Sequence, residues 1–327
     1  IMPAPLFSLI IPVYNVALYV QECLESCFTQ SLIAPEEYEV IVVDDGSKDE
    51  SISLAQPIIA KHPNARIIHQ ENRGLSEARN AGFRVATGRY VWFIDSDDFI
   101  TPGILKQLKS FLEEANNPDM VSLSSRLFGE GYIRTLELHP KFTEPMSGLE
   151  LLDSGQQIIP VHHYLYKRNF LLSNQLTFYP RIYHEDEEFS PRALYFAREV
   201  AFFQGVAYHY RQRPNSIMHS TNLKRPRDLA IIVQRLLAFS KDHPSQGLNQ
   251  VIARLLLSTI VLYREMKCTR EPIAFLGKAR KNKALVRILS QHPDKRFRHL
   301  SWAIRVLPSS LSWHTYLLYN RLTKDRN

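Results

Sequence analysis

A chain of 327 residues with 45% hydrophobic and 11% aromatic content can bury a large core, which excludes a disordered or fibrous protein. No apolar run approaches the roughly 20 residues of a bilayer span, and residues 1–8 show neither the charged region nor the apolar stretch of a secretory signal. The expectation is a cytoplasmic protein, free or peripheral on the inner face of the cytoplasmic membrane. Net charge is +7, with the basic excess lying in residues 224–327, and such a bias attracts anionic partners.

Residues 7–13, Phe-Ser-Leu-Ile-Ile-Pro-Val, read as a strand, and Val20, Cys23, Leu24, Cys27 and Phe28 follow at helical spacing. Residues 38–43 form a second strand, nearly all apolar, as expected when both faces are covered. Asp44-Asp45-Gly46-Ser47 breaks it, and Asp49 can cap the next helix. A strand over 65–69, a helix over 75–87 closed by Gly88, and a strand over 90–94 come next. Thr101 then caps a helix with Pro102 at its first position. This alternation predicts an α/β fold with a mostly parallel, doubly wound sheet, which binds ligands outside the carboxyl ends of its strands. Tyr14-Asn15, Asp44-Asp45 and the run from Asp95 to Asp98 all fall on that rim.

Past residue 118 the pattern is mixed, with strands over 119–125, 132–138 and 199–210 and helices over 147–153 and 184–197. From 226 onward the apolar stripes at 229–239, 248–266, 273–289 and 302–322 are helical. The chain therefore divides into an α/β domain over 1–223 and a helical region over 224–327. Within the first, a regularly alternating half covers about 6–118 and a mixed half 119–223. Cys23, Cys27 and Cys268 suit a reducing compartment and read as buried thiols rather than metal ligands.

The strand over 90–94 ends in three carboxylates, Asp95, Asp97 and Asp98. Burying such a cluster without a partner is costly, and a hard divalent cation carrying a phosphate ligand supplies one. A turn capping the next helix would need only one of them. Asp45 ends its strand as an acceptor for a base or ribose, or as an ordinary loop residue. Asn72-Arg73-Gly74, with Glu77, Arg79 and Asn80, opens a helix whose amino end suits phosphate or simply a solvated salt bridge. His184-Glu185-Asp186-Glu187-Glu188 carries more acid than a helix dipole needs, so one carboxylate is a candidate general base. The run 208–216 brings arginines and hydroxyls that could close over a diphosphate or make a basic turn. His162, His163 and His219 are metal-ligand types that more often make ordinary polar contacts.

Taken together these motifs resemble the family 2 inverting glycosyltransferases, of the bacterial capsule and lipopolysaccharide type. Ser8-Leu9-Ile10-Ile11-Pro12-Val13-Tyr14-Asn15, Val42-Val43-Asp44-Asp45-Gly46-Ser47, Glu71-Asn72-Arg73-Gly74-Leu75-Ser76-Glu77-Ala78-Arg79-Asn80 and Gly88–Asp98 carry the likeness. It is close over about 6–115, weaker through Tyr166-Lys167-Arg168, Glu185-Asp186 and 213–217, and absent from the tail. The segment His162-His163-Tyr164-Leu165 departs from it, lacking the Trp expected before Lys167.

The resemblance implies the GT-A nucleotide-diphospho-sugar transferase fold with a helical appendage, and a nucleotide-binding role for about 6–118 and an acceptor role for 119–223. It implies that Pro12, Tyr14, Asp45 and Arg79 serve the nucleotide and that Asp95 belongs to an Asp-x-Asp element. Asp97 or Asp98 would touch Mn²⁺ or Mg²⁺, Asp186 would be the base, and Arg213 and Ser216 would flank the diphosphate. The donor would be a nucleotide-sugar, UDP-linked by family habit, and the acceptor a glycan or lipid-linked hydroxyl in cell-surface polysaccharide synthesis. The basic tail would pack, form a homodimer or touch the membrane, and no nucleic-acid motif accompanies it. A nucleotidyltransferase would need a Gly-rich loop where Pro-Val-Tyr-Asn stands, and a non-catalytic scaffold would not need the Asp-Ser-Asp-Asp and Glu-Asp sets.

Overall fold

The computed structural model describes residues 4–129, 132–136, 142–156, 159–212, 222–266 and 270–310. Strands β1 (Phe7–Val13) and β2 (Tyr38–Asp44) are buried along their whole length, because each shows apolar side chains to both faces of the sheet. Phe7, Leu9, Ile11 and Val13 share one core with Cys23 and Leu24 of α1 (Val20–Phe28) and Ala55 and Ile59 of α2 (Ser51–Ile59). After β3 (Ala65–His69), helix α3 (Leu75–Val85) covers the other face. It lies so close that a Cβ on Gly82 would fall 2.4 Å from Ile10 Cγ2.

Strands β4 (Tyr90–Phe93) and β5 (Phe99–Ile100) and helix α4 (Ile104–Glu114) complete the amino-terminal half of the α/β unit, with Leu105, Leu108 and Leu112 joining the first core. There follow β6 (Met120–Gly129), β7 (Tyr132–Leu136), α5 (Gly148–Asp153), β8 (Tyr164–Lys167), α6 (Arg168–Ser173), α7 (Glu185–Phe196) and β9 (Val200–Arg211). The sheet runs β3-β2-β1-β4-β8-β6-β9-β5, with β7 on β6. Strands β3, β2, β1 and β4 are parallel, β8 opposes both β4 and β6, and β9 is parallel to β6. This is the mixed α/β, helix-flanked sheet of a GT-A fold.

Contacts divide the chain into two compact units, residues 1–219 and 220–327. The second is helical: α8 (Lys224–Asp242), α9 (Gln246–Glu265), α10 (Arg270–Lys281), α11 (Lys283–Ser290) and α12 (Lys295–Val306). Among the described residues no helix is long and apolar enough to cross a membrane.

Four local expectations are corrected. Thr101 does not cap α4, because its hydroxyl donates to Val206 O at 2.8 Å and Gly103 takes the cap position instead. Helix α3 stops at Val85, and Gly88 is required by close packing rather than as a helix stop: a Cβ there would fall 2.6 Å from Ser8 N. The stripe over 273–289 is two helices, since the Asn282 side chain accepts from Leu285 N and caps α11. The last stripe begins seven residues early, at Lys295, where Asp294 caps it, and its residues beyond 310 lie outside the described residues.

At the amino ends of β1, β2 and β4 a buried carboxylate ties the strands together. Glu39 accepts from Ser8 Oγ at 2.6 Å, Thr87 N at 2.7 Å and Thr87 Oγ1 at 2.8 Å, and it pairs with Arg66 at 2.8 Å. Burial pushes the Glu39 carboxyl up, but the Ser8 and Thr87 donors and Arg66 outweigh it and hold it below the usual range. Glu39→Gln should therefore cost about 1–3 kcal/mol in denaturant unfolding at neutral pH. The carboxylate stabilises above the unfolded value near ~4.3, and this contribution fades as pH falls through the lower folded value. The gap between wild type and variant should then narrow below about pH 4.

Candidate active site

Parallel pairing sets the ends of β1, β2 and β4 side by side: Val13 is opposite Asp44, and Ile10 is opposite Phe93. The residues just past those ends therefore share one rim. The loop leaving β1 is stitched to the turn after β2: Asn15 Oδ1 accepts from Lys48 N at 2.9 Å, Asp49 Oδ2 from Ala17 N at 3.0 Å, and Ser51 Oγ from Val16 N at 2.8 Å. Asp49 also accepts from Ser51 N at 3.0 Å, so it serves the start of α2 from one residue before the cap position, which Glu50 occupies. This bracing holds the Tyr14 ring on the rim at 45% exposure, while Pro12 stays buried in β1.

Asp45 is buried, and both its oxygens are engaged. It accepts from Gln70 Nε2 at 2.7 Å, Arg73 N at 2.8 Å and Gly74 N at 2.9 Å. It thereby anchors the loop that leads into α3, whose Arg79 points at the end of β4. The Arg79 guanidinium is 3% exposed and donates to Asp95 Oδ1 at 2.5 Å and to Glu185 Oε1, and it lies over the Phe178 ring at 5.4 Å. Burial alone would lower its pKa, but Asp95 and Glu185 overcome that and raise it, so the cation is permanent.

The three carboxylates after β4 have three different surroundings. Burial pushes Asp95 up, yet Arg79 and His162 prevail and hold it well below the usual carboxylate range. Asp98 is buried and goes the other way: burial and the charges of Asp97 and Asp95 push it well up. It accepts from Tyr208 Oη at 2.6 Å and from Arg211 N at 2.7 Å. Asp97 is half-buried, and its backbone carbonyl accepts from Arg211 Nε at 2.9 Å. Among the described residues, three potential ligand atoms that lie within 4.8 Å of one another belong to Asp95, Asp98 and His162.

From sequence, His162 is a metal-ligand type expected to make ordinary polar contacts, and Arg211 belongs to the 208–216 run without a role of its own. His162 Nδ1 lies 3.2 Å from Asp95 Oδ2, its ring stacks on Tyr208 with centroids 4.5 Å apart, and its Nε2 is buried without a partner. Two signals point to it: its residue type and its place in the segment that departs from the family pattern. Arg211 ends β9, links Asp98 to Glu22 and lies over the Phe128 ring at 4.5 Å, a set of long-range contacts that no local motif announces. Arg213 and Ser216, like His219 and Cys268, lie outside the described residues.

Four acids open α7, and the structure separates them. Glu185 is buried on Arg79, and Glu188 is buried on Arg192 at 2.6 Å. Asp186 is half-buried, and its Oδ1 accepts from Glu187 N at 2.9 Å. Burial, then the neighbouring Glu185 and Glu187 charges, push its carboxyl up to about 8. A half-buried carboxyl that exchanges its proton near neutral pH has the profile of a candidate proton acceptor.

Residues 8–164 match the profile of Glycosyl transferase family 2. The uncharacterized glycosyltransferase EpsJ of Bacillus subtilis is 32% identical over 222 residues, which are 65% of this chain and 63% of that protein. The minor teichoic acid biosynthesis protein GgaB of the same organism is 35% identical over 161 residues, 49% of this chain and 17% of that one. This chain spans under two thirds of the length of EpsJ and of two further relatives of similar identity. Among solved structures, S. aureus TarS 1-349 in complex with UDP-GlcNAc superposes with a TM-score of 0.77 at 21% identity, covering 97% of this chain and 92% of that one. A mannosyltransferase from Pyrobaculum calidifontis, in complex with GDP-Man and Mn²⁺, gives 0.57 at 17% identity, covering 97% and 88%.

Removing the shared cation tests the network directly. Arg79→Met leaves Asp95 and Glu185 without their buried partner and should cost about 3–5 kcal/mol of stability. Adding Glu185→Gln should recover part of that loss in a double-mutant cycle read by denaturant unfolding.

Proposed function

We propose that this chain, whose residues 8–164 match Glycosyl transferase family 2, is an inverting glycosyltransferase. It would move a sugar from a nucleotide-sugar to an acceptor hydroxyl in bacterial cell-surface polysaccharide or lipid-linked glycan synthesis. The observation that carries this reading is the Arg79 bridge, which joins Asp95 of the donor-side motif to Glu185, the residue next to Asp186. Donor machinery and candidate base are thus set on one fixed cation. The TarS complex with UDP-GlcNAc and the role of GgaB in teichoic acid synthesis favour a UDP-sugar and a surface glycan.

Each residue then has a task. Tyr14 offers an exposed ring for a base to stack on, and Asp45 sets the loop carrying Arg73 and Gly74 beside it. Crowded carboxylates that push Asp98 up fit a divalent cation, and half-buried Asp97 would hold it, with Asp98 and Asp95 behind. When bound, such a cation neutralises the departing diphosphate. Asp186 takes the proton from the acceptor oxygen as that oxygen attacks the anomeric carbon. One displacement inverts the configuration, and no enzyme nucleophile is required. Arg213 and Ser216 would close on the diphosphate.

A nucleotide-release assay over a panel of nucleotide-sugars, with and without Mn²⁺, tests the activity. Asp97→Ala should abolish metal-stimulated release. Asp186→Asn should keep donor binding yet lose about 10²–10⁴-fold in transfer; normal turnover in that variant would sink the base assignment. In the wild type kcat/KM should rise with pH toward a midpoint near the Asp186 value of about 8, and that limb should vanish in the variant.

The same residue makes an opposite prediction for stability. The raised carboxyl lets the folded chain hold a proton that the unfolded chain has lost above its unfolded value near ~3.9. Wild-type stability therefore declines from there up to about pH 8 relative to Asp186→Asn. Melting curves at pH 5 and 8.5 should show the variant gaining on the wild type at the higher pH.

A further inference from the structure

The +7 of the whole chain hides two opposite charges. Residues 1–219 hold 19 Lys and Arg against 27 Asp and Glu, whereas residues 220–327 hold 21 against 6. The units therefore carry −8 and +15. The acidic unit can offset at most eight of those charges, and the remaining +7 favours a further anionic counterpart, since like charges packed together repel.

Helix α12 shows where the counterpart would sit. Phe297, Leu300, Ala303 and Ile304 are buried on its inner face. Its outer face repeats at three and four residues: Lys295, Arg298, His299, Trp302, Arg305 and Val306 are exposed. Trp302 is 55% and Val306 57% exposed, so an indole and an isopropyl group stand in water between cations. Among the described residues no carboxylate pairs with Lys295 or Arg305, and Arg298 donates to the His292 and Pro293 carbonyls without losing its charge.

We propose that this face of α12 docks on an anionic lipid bilayer, with Trp302 and Val306 in the headgroup boundary and Lys295, Arg298 and Arg305 on the lipid phosphates. The chemistry fits that surface specifically. Tryptophan is favoured at the water–hydrocarbon interface, because its ring is apolar and its N–H still finds a partner there. Basic side chains beside it gain from the negative surface potential and keep their heads in the polar layer while their stems lie along the apolar one. A helix on the bilayer plane with this mixed face binds reversibly and spans nothing. The proposal does not depend on the reaction the first unit performs.

Flotation of the full chain with phosphatidylglycerol-containing vesicles, against pure phosphatidylcholine, tests it. Binding should appear only with the anionic vesicles and weaken as salt rises. Trp302→Ala and the pair Lys295→Glu/Arg305→Glu should each lower apparent affinity at least tenfold. Lys241→Glu, which removes a cation from α8, should change it less than twofold. All these side chains are exposed, so thermal melts should match the wild type and separate docking from unfolding. A full chain that ignores anionic vesicles overturns the proposal, as do variants that bind normally or a Lys241→Glu loss of equal size. If Trp302→Ala instead lowers the melting temperature while vesicle binding persists, residues 311–327 cover the face. If it splits a dimer that does not bind vesicles, the occupant is a second copy. Either result rejects the bilayer.

Discussion

A single buried cation, Arg79, fixes the geometry of the candidate site. Its guanidinium is almost inaccessible to water and holds Asp95 with one arm and Glu185 with the other. Burying three charges is expensive and is tolerated only where the geometry satisfies them together. Moving any one of α3, the end of β4 or the start of α7 would strand a charge in the interior. The network therefore sets the separation of the donor-side carboxylates from Asp186 more firmly than apolar packing alone, which permits small slides at little cost.

From that fixed cation, three aspartates acquire three different characters. Asp95 faces Arg79 and His162 and stays ionised; Asp98 sits behind Tyr208, loses its water and favours the proton; Asp186 lies between these extremes. Spreading carboxyl affinities by environment lets one residue type serve as permanent anchor, structural acid and titratable base. His162 takes part in this spread through a ring sandwiched against Tyr208, so its own position depends on β9 as well as on the turn before β8.

The rim was legible in the sequence because the parallel half of the sheet writes itself locally. Apolar runs end abruptly in polar residues, and the right-handed crossover rule places those ends together. What was missed depends on pairing between distant segments. Asp45 reads as a ligand residue from its place after β2, but its carboxylate is spent on Gln70, Arg73 and Gly74. Thr101 has the signature of a cap and instead binds β9. Arg211 sits two residues before the arginine singled out from the likeness and is tied to Asp98 and Glu22, contacts that span more than a hundred residues. The four acids of α7 could not be told apart until Arg79 and Arg192 took two of them.

Average charge was the most misleading number in the sequence. The net +7 is the sum of two opposed units, and the unit that carries the candidate site is at −8. Under the proposed function, a nucleoside diphosphate would meet an adverse field at long range. Local features must reverse that field within a Debye length. Lys48 and Arg73, both exposed beside the Asp45 anchor, do part of this, and a divalent cation on the crowded aspartates would do the rest. Under the proposed function, metal dependence would be an electrostatic requirement of the whole unit as well as of the leaving group: without the cation, the same carboxylates that orient the site would repel a diphosphate.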